Sequence, residues 1–446
     1  MEGESAILEV KKAGGAPVTA FDREKYLSFF KKELSESLLF FWMDRCLDKE
    51  NGGYLNCFTN DGRTLVSTDK YTWSQGRFLW VFSRLATADT PLFGRKERET
   101  FLAYAKSGRD FMMAHALLPG EPPRCAFLTD AKGAPKAVEG HEGYDLSISA
   151  DCFVVMGFAA YALAAEDEEA FLFAKALAES VFVRYESGIY RSLPYPVPAG
   201  YRTHAKPMIL TNVFCELYRA ALVFDRDYAA TLVGRIAACH REVFEVFADE
   251  EDLVHEFTRS DGTLADNLFC RHVNPGHTLE DMWFQWEAAD ILGDGTYREQ
   301  IARIVKRTMA LGWDGAYGGL LHFVPCDGFP TAYGPCELSD EPQMKLVLDD
   351  FGSKLWWVHS EAMYTNLLLY IKTADEEFHR LFREVFSYTY RTFPNPDPEI
   401  GEWIQIRRQD GTPQDKVVAL PVKDPYHIIR NVLLIIELLE RQEYIP

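Results

Sequence analysis

Residues 149–165, SADCFVVMGFAAYALAA, decide the class of fold. Phe153, Met156 and Ala160 fall at helical spacing, but the residues between them are apolar as well, so the predicted helix has almost no polar side. A helix of that kind is enclosed by other helices rather than laid on a surface. The run NVLLIIELL at 431–439 reads the same way, with Val432, Ile435, Ile436 and Leu439 marking the spacing.

Outward from these runs, short Gly- and Asp-rich segments recur at intervals of roughly 60–80 residues. They are GGYLNCFTNDGR from Gly52, AFLTDAKGAP from Ala126, GIYRSLP from Gly188, DLVHEFTRSDG from Asp252, GGLLHFVPCDG from Gly318 and GEWIQIRRQDG from Gly401. Several alternate apolar and polar residues before an Asp-Gly or Lys-Gly turn, the mark of a small β-hairpin. Each interval has room for two helices. Six helix pairs with hairpins at one end predict an all-α fold, an (α/α)6 barrel of about twelve helices; an open superhelix of helix pairs is the alternative. The expected organisation is a flexible extension over 1–20 and a single catalytic domain over 21–446.

The chain has 446 residues, 47% hydrophobic and 14% aromatic, enough for a sizeable core, and a net charge of −20. That charge, with no cluster of Lys and Arg, argues against nucleic acid or an anionic membrane as partner and for a small neutral substrate. The nine cysteines are scattered and never form CxxC, which argues against a disulfide framework or a thiolate metal site. The first residues lack the apolar core of a signal peptide, and no segment keeps 18 apolar residues without a charge, so a cytoplasmic location is expected.

The clearest chemistry lies in RHVNPGHTLEDMWFQWEA, 271–288, where Asn274 and Pro275 are helix-start residues that put His277 in the first turn. His277, Glu280 and Trp283 or Phe284 then share a face, and the helix dipole biases the imidazole toward its neutral, basic form. A His that only caps the helix is the plainer reading. VKDPYHIIRNVLLIIELL, 422–439, repeats the arrangement with Asp424, Pro425, His427 and, on the same face, Arg430. In SKLWWVHSEAMY, Trp356 and Trp357 precede His359 and Glu361, presenting aromatic faces and polar groups suited to a sugar, although paired tryptophans also fill cores. In DKYTWSQGRFLWVFSRL, Lys70, Gln75 and Arg77 interrupt an apolar helix beside Tyr71 and Trp73. If buried, Arg77 needs a substrate oxygen or a carboxylate. His322 reads as a hairpin residue, and His240, His255 and His272 have no helpful neighbours. GxGxxG, the P-loop, GxSxG and HExxH are absent, and the histidine spacings suggest no metal.

DKENGGYLNCF, KYTWSQGRFLW, RCAFLTDAKGAP, KPMIL, NPGHTLEDMW, KLWWVHSEAM, GEW and PYHIIR, taken in that order from about Phe40 to Leu439, resemble the N-acylglucosamine 2-epimerase family, which includes cellobiose 2-epimerases and mannose isomerases. PMIL around Met208 is similar to the N-acylglucosamine branch. The resemblance implies an (α/α)6 barrel and proton transfer at C2 of a reducing sugar, with His277 and His427 as acid and base. It implies further catalytic roles for Arg77, Glu280 and His359, and places Tyr71, Trp73, Trp283, Trp356, Trp357, Glu361 and Arg430 at the substrate. No cofactor is required; ATP as an activator that is not consumed, and a homodimer, are family-level expectations. The chain departs from the family pattern at Tyr426 and Ile429 around His427, at IQIRR after GEW, and in a longer, more acidic CELSDEPQMKLVLDDFGSKLWW. An aldose–ketose isomerase would use the same groups. A glycoside hydrolase would need two carboxylates from Glu280, Asp281, Glu361 and Glu402, and a silent sugar-binding barrel would need no histidine pair.

Overall fold

The computed structural model describes residues 21–326 and 338–441; the extension expected over 1–20 lies outside the described residues. An outer helix α1 begins as Arg23–Lys32 and continues through a π-helical stretch, Glu33–Leu38, into Leu39–Arg45. It is followed by α2 (Thr72–Ala86), α3 (Arg95–His115), α4 (Ile148–Ala165), α5 (Glu168–Ser187), α6 (Ala205–Phe224) and α7 (Arg226–Glu242). The remaining long helices are α8 (Pro275–Leu292), α9 (Arg298–Gly312), α10 (Trp356–Thr373), α11 (Glu376–Thr392) and α12 (Tyr426–Glu440). Each even-numbered helix packs on the next in cyclic order, and α12 packs back on α2, so the six form an inner ring with the odd helices outside it. This is the (α/α)6 barrel, and the return of α12 to α2 excludes the open superhelix.

The division between rings follows from side-chain pattern. Every residue of α4 from Ile148 to Ala162 is buried, as its unbroken apolar run requires. The outer α11 buries Phe378, Leu381, Phe382, Val385 and Tyr388 on one stripe and exposes the opposite face. By length and composition α4 and α6 could each cross a membrane, but most of each is buried among the other helices. Asp22, Asp167, Asp225 and Asp375 cap α1, α5, α7 and α11 by accepting a backbone N–H of the first turn.

Among the described residues the first Gly- and Asp-rich segment alone forms a local pair of strands, Cys57–Phe58 with Leu65–Ser67, while local single bridges join Thr129 to Pro135 and Arg407 to Pro413. The other strands pair between successive loops: Lys70–Tyr71 with Leu128–Thr129, Tyr201–Thr203 with Phe257–Arg259, His272–Val273 with Val324–Pro325, and Lys354–Leu355 with Ile406–Arg407. Ser147 bridges to Ser192 in the same sense. The circuit is completed where the Lys423 N–H donates to the Asn56 carbonyl at 2.8 Å. The reason is geometric. The strand that enters each inner helix lies beside the loop of the next unit, and its backbone groups bond there instead of remaining an exposed edge.

The tightest contact in the ring is between α2 and α4. A Cβ on Gly157 would lie 2.4 Å from the Gly76 carbonyl oxygen, and one on Gly76 would lie 2.4 Å from the Phe153 carbonyl. Because both obstacles are backbone, Gly157→Val should force the helices apart and destabilise the fold by about 1–3 kcal/mol. Gly234→Ala on α7, where a Cβ meets nothing within 4 Å, should be neutral or stabilising. Thermal unfolding of the two variants against the parent checks the contrast.

Candidate active site

All six inner helices start at the strand-bearing rim, so their first turns surround one cavity and their N–H ends face it. Into that cavity α2 sends Trp73 and Arg77, α4 Ser149 and Phe153, α6 Lys206, Met208 and Asn212, α8 His277 and Glu280, α10 Trp356 and Trp357, and α12 His427 and Arg430. The histidines that sequence spacing placed at helix starts therefore do meet.

His277 is held by two contacts. Its backbone N–H donates to the Asn274 side chain at 3.2 Å, and its Nδ1 lies 2.8 Å from Glu256 Oε1. Burial works against an imidazolium there, but the Glu256 carboxylate outweighs it and raises the pKa above the ordinary histidine value. Burial also opposes charge on Glu256, yet His277 holds that carboxyl down at about 2. This corrects the expectation drawn from the helix dipole: the partner that decides the charge comes from the loop before α8, and it favours the protonated form.

His427 has the opposite bias. Its Nδ1 lies 2.7 Å from Glu361 Oε1. Burial drives its pKa down to about 3; Glu280 pulls the other way, and Arg77 and Arg430 add to the fall. Arg430 donates from Nη2 to both Glu280 and Glu361 at 2.5 Å and from Nη1 to the Tyr426 hydroxyl at 2.7 Å. Tyr426 thus supplies an acceptor to the arginine. Glu280, Glu361 and His427 present ligand atoms within 4.8 Å of one another, but the guanidinium already fills the space between the two carboxylates, so the set does not suit a metal ion.

The Trp357 indole lies against both imidazoles, 5.3 Å from the His277 ring and 5.6 Å from the His427 ring, tilted 41° to each. Gly276 is what admits it, since a Cβ there would fall 2.4 Å from the Trp357 ring. Arg77 donates to Asp424 Oδ2 at 2.7 Å and packs over the Phe153 and Tyr426 rings. Its carboxylate partner was one of the two expected for it.

Four of the expected residues do not line the cavity. His359 is fully buried; its Nδ1 lies 2.7 Å from the Leu355 carbonyl and its Nε2 accepts the Leu320 N–H at 2.9 Å. Both ring nitrogens are used by backbone and no proton carrier remains, which corrects the catalytic assignment. Tyr71 pairs with Leu128, packs on Phe127 and lines an adjoining cavity that shares Ser192, Leu193 and Lys206 with the site. Trp283 donates from Nε1 to Glu361 at 2.9 Å, and Glu361 faces His427 Nδ1, so both lie behind His427 rather than in the cavity. For a hydrolase, Asp281 is engaged by His204 and Gln285, and Glu402 by Lys423 and Gln405, while Glu280 and Glu361 share Arg430. None of the four is a free carboxylate. Sequence reasoning missed Glu256, Lys206 and His322, all of which line the cavity. Only the position of Glu256 in a recurring loop hinted at it. Lys206 is buried and donates to Ser149 Oγ at 2.9 Å, with its pKa lowered by burial to about 8.

Comparison with known proteins identifies the family and the fold. The family model described as N-acylglucosamine 2-epimerase (GlcNAc 2-epimerase) matches residues 53–431. The N-acylglucosamine 2-epimerase of Bos taurus is 30% identical over 406 residues, 90% of this chain and 88% of that protein. Among solved structures, the cellobiose 2-epimerase of Bacillus thermoamylovorans superimposes with a TM-score of 0.72 at 21% identity, covering 94% of this chain and 100% of the other. A D-mannose isomerase superimposes with a TM-score of 0.70 at 16% identity, covering 94% and 100%. The chain belongs to the N-acylglucosamine 2-epimerase family, and with it to the carbohydrate isomerases.

Proposed function

We propose that the enzyme interconverts N-acylglucosamine and N-acylmannosamine by proton transfer at C2. The observation that carries this is the pair of imidazoles packed against Trp357 with opposite bias, His427 toward the neutral form and His277 toward the protonated form. The choice of an N-acylated hexosamine is supported by the 30% identity to the bovine N-acylglucosamine enzyme and by Met208, the residue of the branch motif, lining the cavity. In the open-chain sugar, His427 Nε2 takes the C2 proton, and the C–H electron pair moves into a C1–C2 double bond as charge passes to O1. His277 Nε2 then returns a proton to the opposite face of C2 as the carbonyl reforms, inverting C2 with no net redox change. Arg77 and the N-terminal ends of the inner helices supply positive potential toward the enediolate oxygens.

The same reading includes a cytoplasmic enzyme, in keeping with cysteines that are scattered along the sequence and never form CxxC. A homodimer and activation by ATP without turnover are proposed on the family resemblance; sedimentation and exchange rates with and without ATP measure them.

In deuterium oxide the enzyme should place deuterium at C2 of N-acetylglucosamine. His277→Asn and His427→Asn should each lower that rate by about 10²–10⁴-fold. No uptake by the parent enzyme at C2 of any N-acylated or plain hexose would remove the proposal, and full activity in both variants would remove the residue assignment. For the direction in which His277 donates, activity is lost as pH rises through its raised pKa. Glu256→Gln removes the group that raises it and leaves burial, which lowers it. The alkaline limb of the kcat/KM profile should therefore move to lower pH in that variant.

A further inference from the structure

Sequence spacing placed His322 in a hairpin with no chemistry attached, yet it lines the same cavity as His277 and His427. Its ring centroid lies 6.2 Å from the Trp357 indole, edge to face, so three imidazoles gather around one tryptophan. His322 Nδ1 lies 2.9 Å from Asp350 Oδ2. Asp350 also accepts Ser353 Oγ at 2.5 Å and Lys416 Nζ at 2.7 Å, and the His322 and Phe323 N–H groups both donate to the Phe351 carbonyl. Burial opposes the Asp350 charge, but His322 and Lys416 hold its carboxyl at about 2, so it remains an acceptor. The Nδ1 of His322 therefore carries the hydrogen and Nε2 keeps its lone pair, with no partner among the described residues. Burial lowers the imidazole pKa although Asp350 works against it, which keeps the ring neutral. This is a base held in one tautomer by a carboxylate. The carboxylate ends the short helix Pro342–Asp350.

The two proton transfers at C2 leave His322 unused, but they require a carbonyl at C1, and a reducing sugar in water is overwhelmingly a closed ring. We propose that His322, oriented by Asp350, opens and closes that ring, so that the enzyme also interconverts the α and β anomers of its sugar. The inference rests on the cavity being a reducing-sugar site. Nε2 takes the proton of the C1 hydroxyl, an O1 electron pair forms the C1 carbonyl, and the C1–O5 bond breaks with its pair passing to O5, which takes a proton from water. The proton on Nε2 passes to solvent. Reversal of these steps with O5 adding to either face of C1 exchanges the anomers without touching C2.

The test follows the approach of pure α-N-acetylglucosamine to anomeric equilibrium by polarimetry, beside deuterium uptake at C2. The parent enzyme should accelerate equilibration above buffer, and His322→Gln should lose at least tenfold of that acceleration. Asp350→Asn, which keeps the side-chain shape, should lose part of it. Binding of N-acetylglucosaminitol, which has no ring to open, should stay within twofold of the parent in both variants by calorimetry. That readout separates a chemical role from a disturbed site. Failure of the parent to accelerate anomer exchange, or unchanged acceleration in His322→Gln, overturns the inference while leaving C2 exchange standing. Anomer exchange that depends on His322 without deuterium at C2 supports it and removes the C2 reading instead.

Discussion

Arg430 is about 1% exposed and lies where three consecutive inner helices meet. From α12 it donates to Glu280 on α8 and Glu361 on α10, and to Tyr426 one turn back on its own helix. A guanidinium taken out of water this completely is tolerated only with its charge matched and its donors engaged, and removal of one member leaves an uncompensated buried charge, a cost of about 3–5 kcal/mol. The cluster therefore acts on two levels. It ties the last three inner helices together near the rim, and it fixes the carboxylate that faces His427 Nδ1.

From that anchored carboxylate outward, the site is a set of matched pairs whose imbalances carry the chemistry. His277 gains a carboxylate of its own and favours the charged form; His427 shares its carboxylates with an arginine and favours the neutral form. Two identical side chains thus differ because of what each is packed against. The indole of Trp357 keeps the pair apart, and Gly276, one residue before His277, leaves the room for it.

The rim has a related logic. Strands two or three residues long would be marginal as isolated hairpins, but here all the described pairs except the local one at Cys57–Ser67 join one repeat to the next, and the contact of Lys423 with Asn56 closes the circuit. Loops joined in this way bring Glu256 to His277 from outside its own helix, and the turn after the short helix Pro342–Asp350 brings Asp350 to His322. Glu256 thus reaches His277 from a loop and Asp350 reaches His322 from the end of a short helix, while Glu280, Glu361, Arg77 and Arg430, the groups that tune His427, stand on the inner helices.

By itself the sequence determined what depends on nearest neighbours along the chain. The unbroken apolar runs of α4 and α12 marked the inner ring, Asn274 and Asp424 marked where His277 and His427 begin their helices, and Arg77 stood out as a charge in an apolar run. These signals are local, set by helical periodicity and helix-start hydrogen bonding. The tertiary structure decided what depends on groups distant in sequence. His359 and Trp283 looked like site residues because spacing gives a face but not what that face meets; one is consumed by backbone and the other supports Glu361. The charge of His277 was misread because a through-space contact 2.8 Å from Glu256 outweighs the dipole of its own helix, and His322 passed as a hairpin residue because nothing near it in sequence announces Asp350.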